Sequence, residues 1–329
     1  KRDEGMTKIK AELDLKRWKE DIIKKQKRVT AIVSVCGGTG CHAYGCKKVR
    51  DGFAKAIKKN GDVQKIKLKF TGCRGFCERG PIVTIQPQGI FYQRVEEKDV
   101  PVILSETIGK GKILEDLLYE DAVKKQKLIS EKEIPFYKAQ HRLVMGNNGL
   151  VEPTRIEDYI GIGGYQALSK ALFEMKPEQI ISEVKASGLR GRGGAGFPTG
   201  KKWEDCRNVP GKIKYIICNC DEGDPGAYMD RSLLEGNPHS VLEGMIIGAY
   251  AIGGSHGYIY VRHEYPLACK NADTAITQAR KAGLLGKNIL GSGFSFDVEI
   301  AKGGGAFVCG ESTALISSIE GKVGEPRSK

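Results

Sequence analysis

The sequence contains no uninterrupted apolar run approaching the roughly 18 residues that a membrane-spanning helix needs. Its first ten residues, KRDEGMTKIK, lack the apolar core of a secretory signal peptide. The 329 residues include only 10 cysteines, far below the density of a secreted disulfide scaffold. With 40% hydrophobic and 28% charged residues, the composition is that of a globular protein. We therefore expect a soluble, cytoplasmic, multi-domain protein with no membrane partner.

The positive charge of the chain is concentrated in its first 130 residues. They contain 29 Lys and Arg against 17 Asp and Glu, whereas residues 131–329 contain 24 against 23. This asymmetry is compatible with a nucleic acid, with an acidic protein partner, or with a solvated, lysine-rich surface. Zinc-finger spacing, RNP-like aromatic strands and arginine-rich blocks are all missing from the sequence. We therefore expect no nucleic-acid partner, and the other two explanations stay open.

The first part of the chain predicts an α/β unit of thioredoxin-like order. The predicted elements are a basic amphipathic helix at 11–28, strands at 31–35, 63–70, 82–86 and 91–95, and helices at 47–59 and 110–127. A β-α-β order that ends in a β-hairpin is typical of thioredoxin-like domains. We assign the basic N-terminal helix to 1–28 and this domain to 29–127.

The second part alternates strands and helices and predicts a further α/β domain. Breakers such as Pro135, Gly146 and Pro153 suggest a linker at 128–155. The elements predicted beyond it are helices at 156–172, 177–187, 238–252 and 266–282, a buried strand at 215–218, and strands at 257–262 and 295–300. We assign the second domain to 156–329.

Two pairs of cysteines lie on two loops, each directly after a predicted strand. Four residues separate Cys36 from Cys41, and three separate Cys73 from Cys77. Thiolates at such spacing hold soft metals, and neighbouring glycines let backbone N–H groups approach the sulfurs. Zinc ribbons prefer two-residue gaps, and disulfides are rare in a reducing compartment. The spacing favours an iron–sulfur cluster but leaves zinc and inert thiols open, with Cys46 as an alternative to Cys36.

The stretches VSVCGGTGCHAYG and TGCRGFCERGPIV closely resemble the thioredoxin-like 2Fe-2S ferredoxin domain found beside flavin-bearing NADH dehydrogenase subunits. The resemblance covers nearly all of the first predicted domain. It implies that Cys36, Cys41, Cys73 and Cys77 bind a 2Fe-2S cluster. Cys46 would then not be a ligand.

Three long motifs mark the second predicted domain. GLRGRGGAGFPTGKKW (188–203) offers backbone N–H groups and basic side chains to a phosphate, although helical sequence precedes it where a dinucleotide fingerprint needs a strand. CNCDEGDPGAYMDRS (218–232) gathers four carboxylates, which suit a divalent metal, an activated water or sugar hydroxyls. GGGAFVCGESTALISSIEG (303–321) places a glycine-rich loop before a helix N-terminus, which favours an anion.

Together these motifs strongly resemble the NADH- and FMN-binding subunit of respiratory complex I and its relatives. The resemblance implies a Rossmann-like α/β domain in which FMN exchanges a hydride with NAD(P)H and passes single electrons to iron–sulfur clusters. No catalytic side chain is then expected.

The resemblance also implies which residues hold the cofactors. Those expected along the flavin phosphate and ring are Gly191, Arg192, Gly193, Gly194 and Lys202. Those expected at the isoalloxazine or ribityl edge are Asn219, Asp221 and Glu222, with Gly310 and Glu311 on the opposite wall. Phe197 is expected to stack on the nicotinamide nucleotide and Asp224 to lie near it. Phe307, where relatives usually have a tyrosine, belongs to the same set.

Ser312 departs from the complex I pattern. Those subunits usually carry a Glu there, whose charge repels the extra phosphate of NADP(H). We therefore expect this protein to tolerate or prefer NADP(H), and the shorter Asp224 points weakly the same way.

The sequence also stops where the family continues into a further flavin-binding stretch, a ubiquitin-like domain and a 4Fe-4S domain. We therefore expect the ubiquitin-like domain and the 4Fe-4S cluster to belong to a part that is missing here, and the flavin cleft to be incomplete.

The 2Fe-2S domain fused in front resembles the diaphorase subunit of soluble, electron-bifurcating iron-iron hydrogenases. This implies three partners in a hetero-oligomer or in solution: a hydrogenase catalytic subunit, a small thioredoxin-like 2Fe-2S subunit and a ferredoxin. Two alternatives stay open. One is a module of a respiratory NADH:quinone oxidoreductase, and the other is a non-catalytic electron-transfer subunit with a vestigial flavin site.

Overall fold

The computed structural model describes residues 9–61 and 65–328, and their contacts divide them into two units. The first, here called the cysteine unit, comprises Asp21–Asp158 and Glu235–Asn237. The second, the parallel-sheet unit, comprises the described residues up to Glu20, Tyr159–Leu234 and those from Pro238 onward. None of the described helices has both the length and the apolar character needed to span a bilayer.

A four-stranded mixed sheet forms the centre of the cysteine unit, with strand order β2-β1-β3-β4. The strands are β1 Ala31–Cys36, β2 Ile66–Thr71, β3 Val83–Gln86 and β4 Ile90–Tyr92. β1 runs parallel to β2 and antiparallel to β3, and β3 runs antiparallel to β4. This topology confirms the predicted thioredoxin-like fold.

One of the helices predicted for the first part of the chain is wrong. The helices are α1 Glu12–Gln26, α2 Thr39–Ala43, α3 Cys46–Lys59 and α4 Val100–Val102, which continues as a π-helical turn over Ile103–Gly109. The helix predicted at 110–127 is replaced by a 3-10 turn, Glu115–Leu117, and by a small hairpin of β5 Tyr119–Glu120 and β6 Lys127–Leu128. The apolar residues that suggested a helix there pack against the core from these turns instead.

The segment 128–155, suggested as a linker by its breakers, packs as part of the cysteine unit. It contains a 3-10 turn, Glu131–Glu133, and α5 Pro135–Lys138. Ile134 and Tyr137 are buried in the same hydrophobic core as the sheet. Its prolines and glycines therefore mark turns on the surface of a folded unit, and the domain limits themselves stay predictions.

The parallel-sheet unit contains three parallel strands in the order β7-β8-β9. They are β7 Tyr215–Cys220, β8 His256–Arg262 and β9 Asp297–Gly303. The helices of the second part of the chain are α6 Ile156–Gly161, α7 Gln166–Glu174, α8 Pro177–Ala186, α9 Thr199–Asn208, α10 Met229–Gly236, α11 Pro238–Ile252, α12 Pro266–Ala282 and α13 Ser312–Ile319. These elements confirm an α/β fold. β7, expected to be buried, is partly exposed because it lies at the edge of the described sheet, and Tyr215 is 50% exposed.

A buried polar network joins α11 to the helices that precede the glycine-rich loop. Glu243 accepts hydrogen bonds from the Tyr159 hydroxyl at 2.6 Å and from the Tyr165 N–H at 2.8 Å. The Tyr165 hydroxyl lies 2.8 Å from Nδ1 of His239, and Nε2 of His239 lies 3.1 Å from Oε1 of Gln278. Since that Oε1 can only accept, Nε2 carries the proton and Nδ1 accepts from Tyr165. Burial lowers the pKa of His239 to about 4, so the ring is neutral near pH 7.

We expect His239 to make the parallel-sheet unit sensitive to acid. Between pH 6.5, the ordinary imidazole pKa, and about pH 4, only the unfolded chain takes up this proton, so stability is lost as the pH falls. The loss attributable to His239 amounts to about 3 kcal/mol. Urea unfolding at pH 7 and pH 4.5 should show a clearly smaller loss on acidification for His239→Gln than for the parent chain.

The exposed His256 provides the matched control. His256→Gln should keep the acid sensitivity of the parent chain. Equal sensitivity of His239→Gln and the parent chain would contradict this assignment.

Candidate functional site

The four predicted cluster cysteines lie together at one edge of the mixed sheet. Because β1 and β2 are parallel, the loops that follow them leave the same edge, and these loops carry Cys36, Cys41, Cys73 and Cys77. Hydrogen bonds join Cys36 to both Cys41 and Cys73, and the sulfurs of Cys73 and Cys77 are 3.8 Å apart. Three of the four are buried and Cys77 is partly buried. None of them forms a disulfide.

Main-chain N–H groups point at these sulfurs. The N–H groups of Gly38 and Arg74 donate to Cys36, and that of Ile82 donates to Cys41. The Gly75 N–H donates to Cys73 at 3.3 Å. Such N–H···S hydrogen bonds stabilise negative charge on cluster sulfurs and tune the reduction potential.

The protonation of the thiols shows how closely they are packed. Hydrogen bonds from Cys41 and Cys73 hold the pKa of Cys36 well below its usual range, and the same bonds raise the pKa of Cys41 and of Cys73. Cys46 lies outside this set of hydrogen bonds, and burial raises its pKa to about 12. Without a metal, these cysteines therefore favour a single thiolate, at Cys36. Further thiolates need a nearby cationic centre to offset the repulsion between their charges.

This arrangement fits a binuclear iron–sulfur cluster. A 2Fe-2S cluster needs only two thiolates at each iron, together with a cradle of N–H donors. The cysteine unit provides both, with Cys46 left over.

Two of the three motifs in the parallel-sheet unit meet at the carboxyl edge of its sheet. The acidic loop follows β7 and the second glycine-rich loop follows β9, so parallel pairing with β8 brings them to the same edge. The Asn219 side chain donates to the Cys309 carbonyl at 3.3 Å. A Cβ on Gly223 would lie 3.1 Å from Cα of Phe307. This edge is where open α/β sheets bind their ligands.

Asp221 is the acidic side chain most suited to a ligand here. It is only 2% exposed, and its Oδ1 has no hydrogen-bond partner within the described structure. Burial raises the pKa of Asp221, and the nearby Arg262 charge opposes that shift. A buried carboxylate oxygen without a partner is costly unless a ligand hydroxyl or N–H satisfies it.

Glu222 and Glu311, both expected beside the flavin, cap helices in this structure. The Glu222 carboxylate accepts from the N–H groups of Asp230 and Arg231 at 2.9 and 3.0 Å, at the start of α10. The Glu311 carboxylate accepts from the N–H groups of Thr313 and Ala314 at the start of α13. Each carboxylate satisfies N–H groups in the first turn of a helix that would otherwise lack partners, and so fixes the loop that leads into that helix.

Arg262 is a residue that the sequence analysis missed. It ends the central strand β8, and its guanidinium donates to the Glu222 carbonyl at 3.2 Å and to Glu264 at 2.9 Å. The Tyr265 hydroxyl donates to the same Glu222 carbonyl at 3.4 Å. The sequence offered one signal. Arg262 is a charged residue at the carboxyl end of a predicted apolar strand, and the strands before and after it in the chain lead into predicted ligand-binding loops.

The first glycine-rich loop forms a hairpin-like turn before α9. The Gly191 N–H donates to the Phe197 carbonyl at 2.9 Å, and Arg192 donates to the Arg190 carbonyl at 2.5 Å. Gly194 has a φ of 99°, a conformation that favours glycine, and a Cβ on Gly193 or Gly194 would meet open space. Arg190 donates to the Gly196 carbonyl within the same loop, and Lys201 bonds Asp205 of α9.

The remaining predicted residues lie on exposed surface near these loops. Phe197 and Phe307 are 47% and 71% exposed, and Ser312 is exposed at the start of α13. Lys202 is exposed in the first turn of α9, Asp224 is exposed in the acidic loop, and Gly310 has open space where a Cβ would stand. Phe307 and Gly310 belong to the loop that contacts the acidic loop at the sheet edge, whereas Phe197 and Lys202 belong to the first glycine-rich loop.

Two known families match parts of this chain. Residues 21–107 match the family described as thioredoxin-like [2Fe-2S] ferredoxin, and residues 184–329 match the family described as the Nuo51 FMN-binding domain. The first match contains all four clustered cysteines, and the second contains all three loops of the parallel-sheet unit.

Two curated relatives are similar over more than half of the chain. The chain is 56% identical over 192 residues to the NADP-reducing hydrogenase subunit HndC of Solidesulfovibrio fructosivorans, covering 58% of this chain and 39% of that protein. It is 56% identical over 174 residues to a subunit of the NADH-quinone oxidoreductase of Aquifex aeolicus, covering 53% of this chain and 40% of that protein. The chain thus spans about two fifths of the length of these relatives.

Among solved structures, an NAD+-reducing [NiFe]-hydrogenase in the H2-reduced state aligns with 97% of this chain and 54% of that chain. The alignment has 24% identity and a TM-score of 0.47, which is too low to bear on function. Residues 21–107 are thus similar to thioredoxin-like [2Fe-2S] ferredoxins, and residues 184–329 are similar to the Nuo51 FMN-binding domain.

Proposed function

We propose that this chain is an oxidoreductase subunit that moves electrons between NAD(P)H and one-electron carriers. The observation that carries the proposal is the presence, in one chain, of a four-cysteine cradle and of a ligand-binding sheet edge with a partner-deficient buried carboxylate. When bound, FMN would exchange a hydride for two single electrons, and a 2Fe-2S cluster would carry electrons one at a time.

The chain's own residues would hold and orient these groups. The loop at 188–203 would offer N–H groups to the flavin phosphate, with Arg192 and Lys202 as exposed counter-charges. Asn219 and Asp221 would bond the ring or ribityl edge, and the caps made by Glu222 and Glu311 would hold the two loops beside it. No acid–base side chain is required, because the chemistry belongs to the cofactors.

We further propose that the whole protein works in a soluble, cytoplasmic hydrogenase complex that bifurcates electrons. Its partners would be a hydrogenase catalytic subunit, a small thioredoxin-like 2Fe-2S subunit and a ferredoxin. The cysteine domain at the front of the chain and the 56% identity to an NADP-reducing hydrogenase subunit support this assignment. The equal identity to a component of an NADH-quinone oxidoreductase supports a respiratory module as the second candidate.

The first test measures FMN binding and then the reduction of an artificial electron acceptor by NADH or NADPH. The iron-reconstituted chain should bind FMN and quench its fluorescence, and it should reduce viologen anaerobically with NADH or NADPH. Asp221→Ala should weaken FMN binding about tenfold or more, because it removes a buried carboxylate that the ring or ribityl edge would satisfy. Asp297→Ala, at an exposed ion pair of β9, serves as the control and should bind FMN normally.

The outcomes separate the alternatives. A chain that binds no FMN contradicts a flavin site formed by the residues of this chain alone. A chain that binds both FMN and iron but reduces viologen with neither nucleotide contradicts electron entry from NAD(P)H and favours a non-catalytic electron-transfer subunit. Co-purification with membrane subunits rather than a hydrogenase catalytic subunit would favour the respiratory module.

Ser312 provides a separate test of nucleotide preference. Ser312→Glu adds a negative charge at the exposed start of α13, so it should lower the ratio of kcat/KM for NADPH to that for NADH by about tenfold. The matched control is Ser182→Glu, which adds the same charge at an exposed position of α8. If both variants keep the parent ratio, Ser312 does not determine nucleotide choice.

Cysteine substitutions test the ligand set of the cluster. Alanine at Cys36, Cys41, Cys73 or Cys77 should abolish most cluster absorbance and iron content, because a 2Fe-2S cluster needs all four thiolates. Cys46→Ala is the matched control, since Cys46 is buried nearby but outside the hydrogen-bonded set. Loss of iron on replacing Cys46, with retention on replacing Cys36, would show that the assignment of these two is wrong.

A further inference from the structure

Arg74 lies inside the second cysteine loop, directly after Cys73, and its side chain is unusually well fixed for a loop residue. The side chain is 7% exposed and donates to Glu131 at 2.5 Å and to Thr84 at 2.9 Å. It also donates to the Gly149 carbonyl at 2.7 Å. The three partners belong to β3 and to the segment at 128–155, so the fixation depends on residues 10, 57 and 75 positions away in the chain.

The space around this guanidinium is shaped for it. A Cβ on Gly149 would lie 2.7 Å from Cζ of Arg74, so a larger residue at 149 would displace the side chain. Glu131 is 17% exposed, and its second carboxylate oxygen accepts from Arg142. Glu131 therefore keeps a cationic partner even when Arg74 is removed.

The main chain of Arg74 connects this anchor to the cysteines. Its N–H donates to the Cys36 sulfur, and the next residue, Gly75, donates to Cys73 at 3.3 Å. Because the side chain is tied at three points, the direction of these two N–H donors is tied as well. A change at the guanidinium therefore reaches two of the four sulfurs through the backbone.

The pair also places two opposite charges beside the cluster site. An iron–sulfur cluster gains one negative charge on reduction, so a nearby cation favours the reduced state and a nearby carboxylate opposes it. Arg74 and Glu131 are both mostly shielded from solvent, so their effects are screened less than those of surface charges.

We propose that Arg74 is a positioning residue for the 2Fe-2S cluster and that the Arg74–Glu131 pair sets the reduction potential of that cluster. This inference rests on the proposed cluster in the cysteine unit. It goes beyond the ligand set, because neither residue touches iron and their effect runs through N–H···S bonds and charge.

The test is a redox titration of the full chain, with the reduced cluster followed by electron paramagnetic resonance. Arg74→Met should make the cluster harder to reduce, and Glu131→Gln should make it easier. A unit charge roughly 10 Å away at an effective dielectric near 20 changes such an equilibrium about tenfold, so each variant should shift the reduced-to-oxidised ratio at fixed poise by about tenfold. The matched control is Lys110→Met, which removes an exposed, carboxylate-paired cation from the same unit and should leave the ratio unchanged.

Opposite shifts in the two variants separate electrostatic control from a merely structural role, since loosening the loop would move both variants in the same direction. Shifts of the same sign, or an unmoved potential in iron-replete Glu131→Gln, would overturn the inference. Glu131→Gln leaves Arg74 and all four cysteines in place, so the test holds even if Arg74→Met fails to assemble. Iron content of the parent chain is measured first, because absence of iron there contradicts the proposed function rather than this inference.

Discussion

The cluster site depends on a close approach of two loops that only glycine permits. A Cβ on Gly38 would lie 2.6 Å from Cβ of Cys73, and one on Gly80 would lie 2.7 Å from the sulfur of Cys41. Gly38 thus lets the first cysteine loop approach Cys73, and Gly80 lets the chain after the second cysteine loop approach Cys41. Any side chain at Gly38 or Gly80 would push a sulfur outward and open the group. The thioredoxin-like sheet brings the loops to one edge, but these contacts set how near the sulfurs come.

The same dependence on distant residues extends to the segment at 128–158. Lys67 and Lys69, on β2, contact the buried Asp158 carboxylate at 2.6 and 2.8 Å, and Lys69 also donates to the Leu150 carbonyl. A buried carboxylate with two cationic partners would be strongly destabilised if either were removed. These bonds therefore fix the segment at 128–158 against β2, the strand that leads into the second cysteine loop. The same segment carries Glu131 and Gly149, two of the partners of Arg74.

Sequence reasoning predicted local order well and long-range packing poorly. The helix at 266–282 and the cysteine loops follow from patterns within a few residues, and the structure has them where expected. The helix expected at 110–127 is absent because its apolar residues are used by the core of the sheet, which no local pattern reveals. The prolines and glycines of 128–155 predict turns but not the surface on which they pack. Arg74 and Arg262 were missed for the same reason, since their partners are distant in the chain and carry no motif.

The carboxylates of the loops at the carboxyl edge of the parallel sheet are largely engaged within those loops. The acidic loop gathers carboxylates, yet Glu222 and Glu311 are engaged as helix caps and Asp221 faces Arg262, so their repulsion is offset within the loops themselves. The basic residues of 188–203 lie on a separate loop, where Arg192 donates to the Arg190 carbonyl and Lys201 pairs with Asp205. A basic loop and an acidic loop together suit a molecule that is anionic at its phosphate end and rich in hydrogen-bond donors at its sugar and ring.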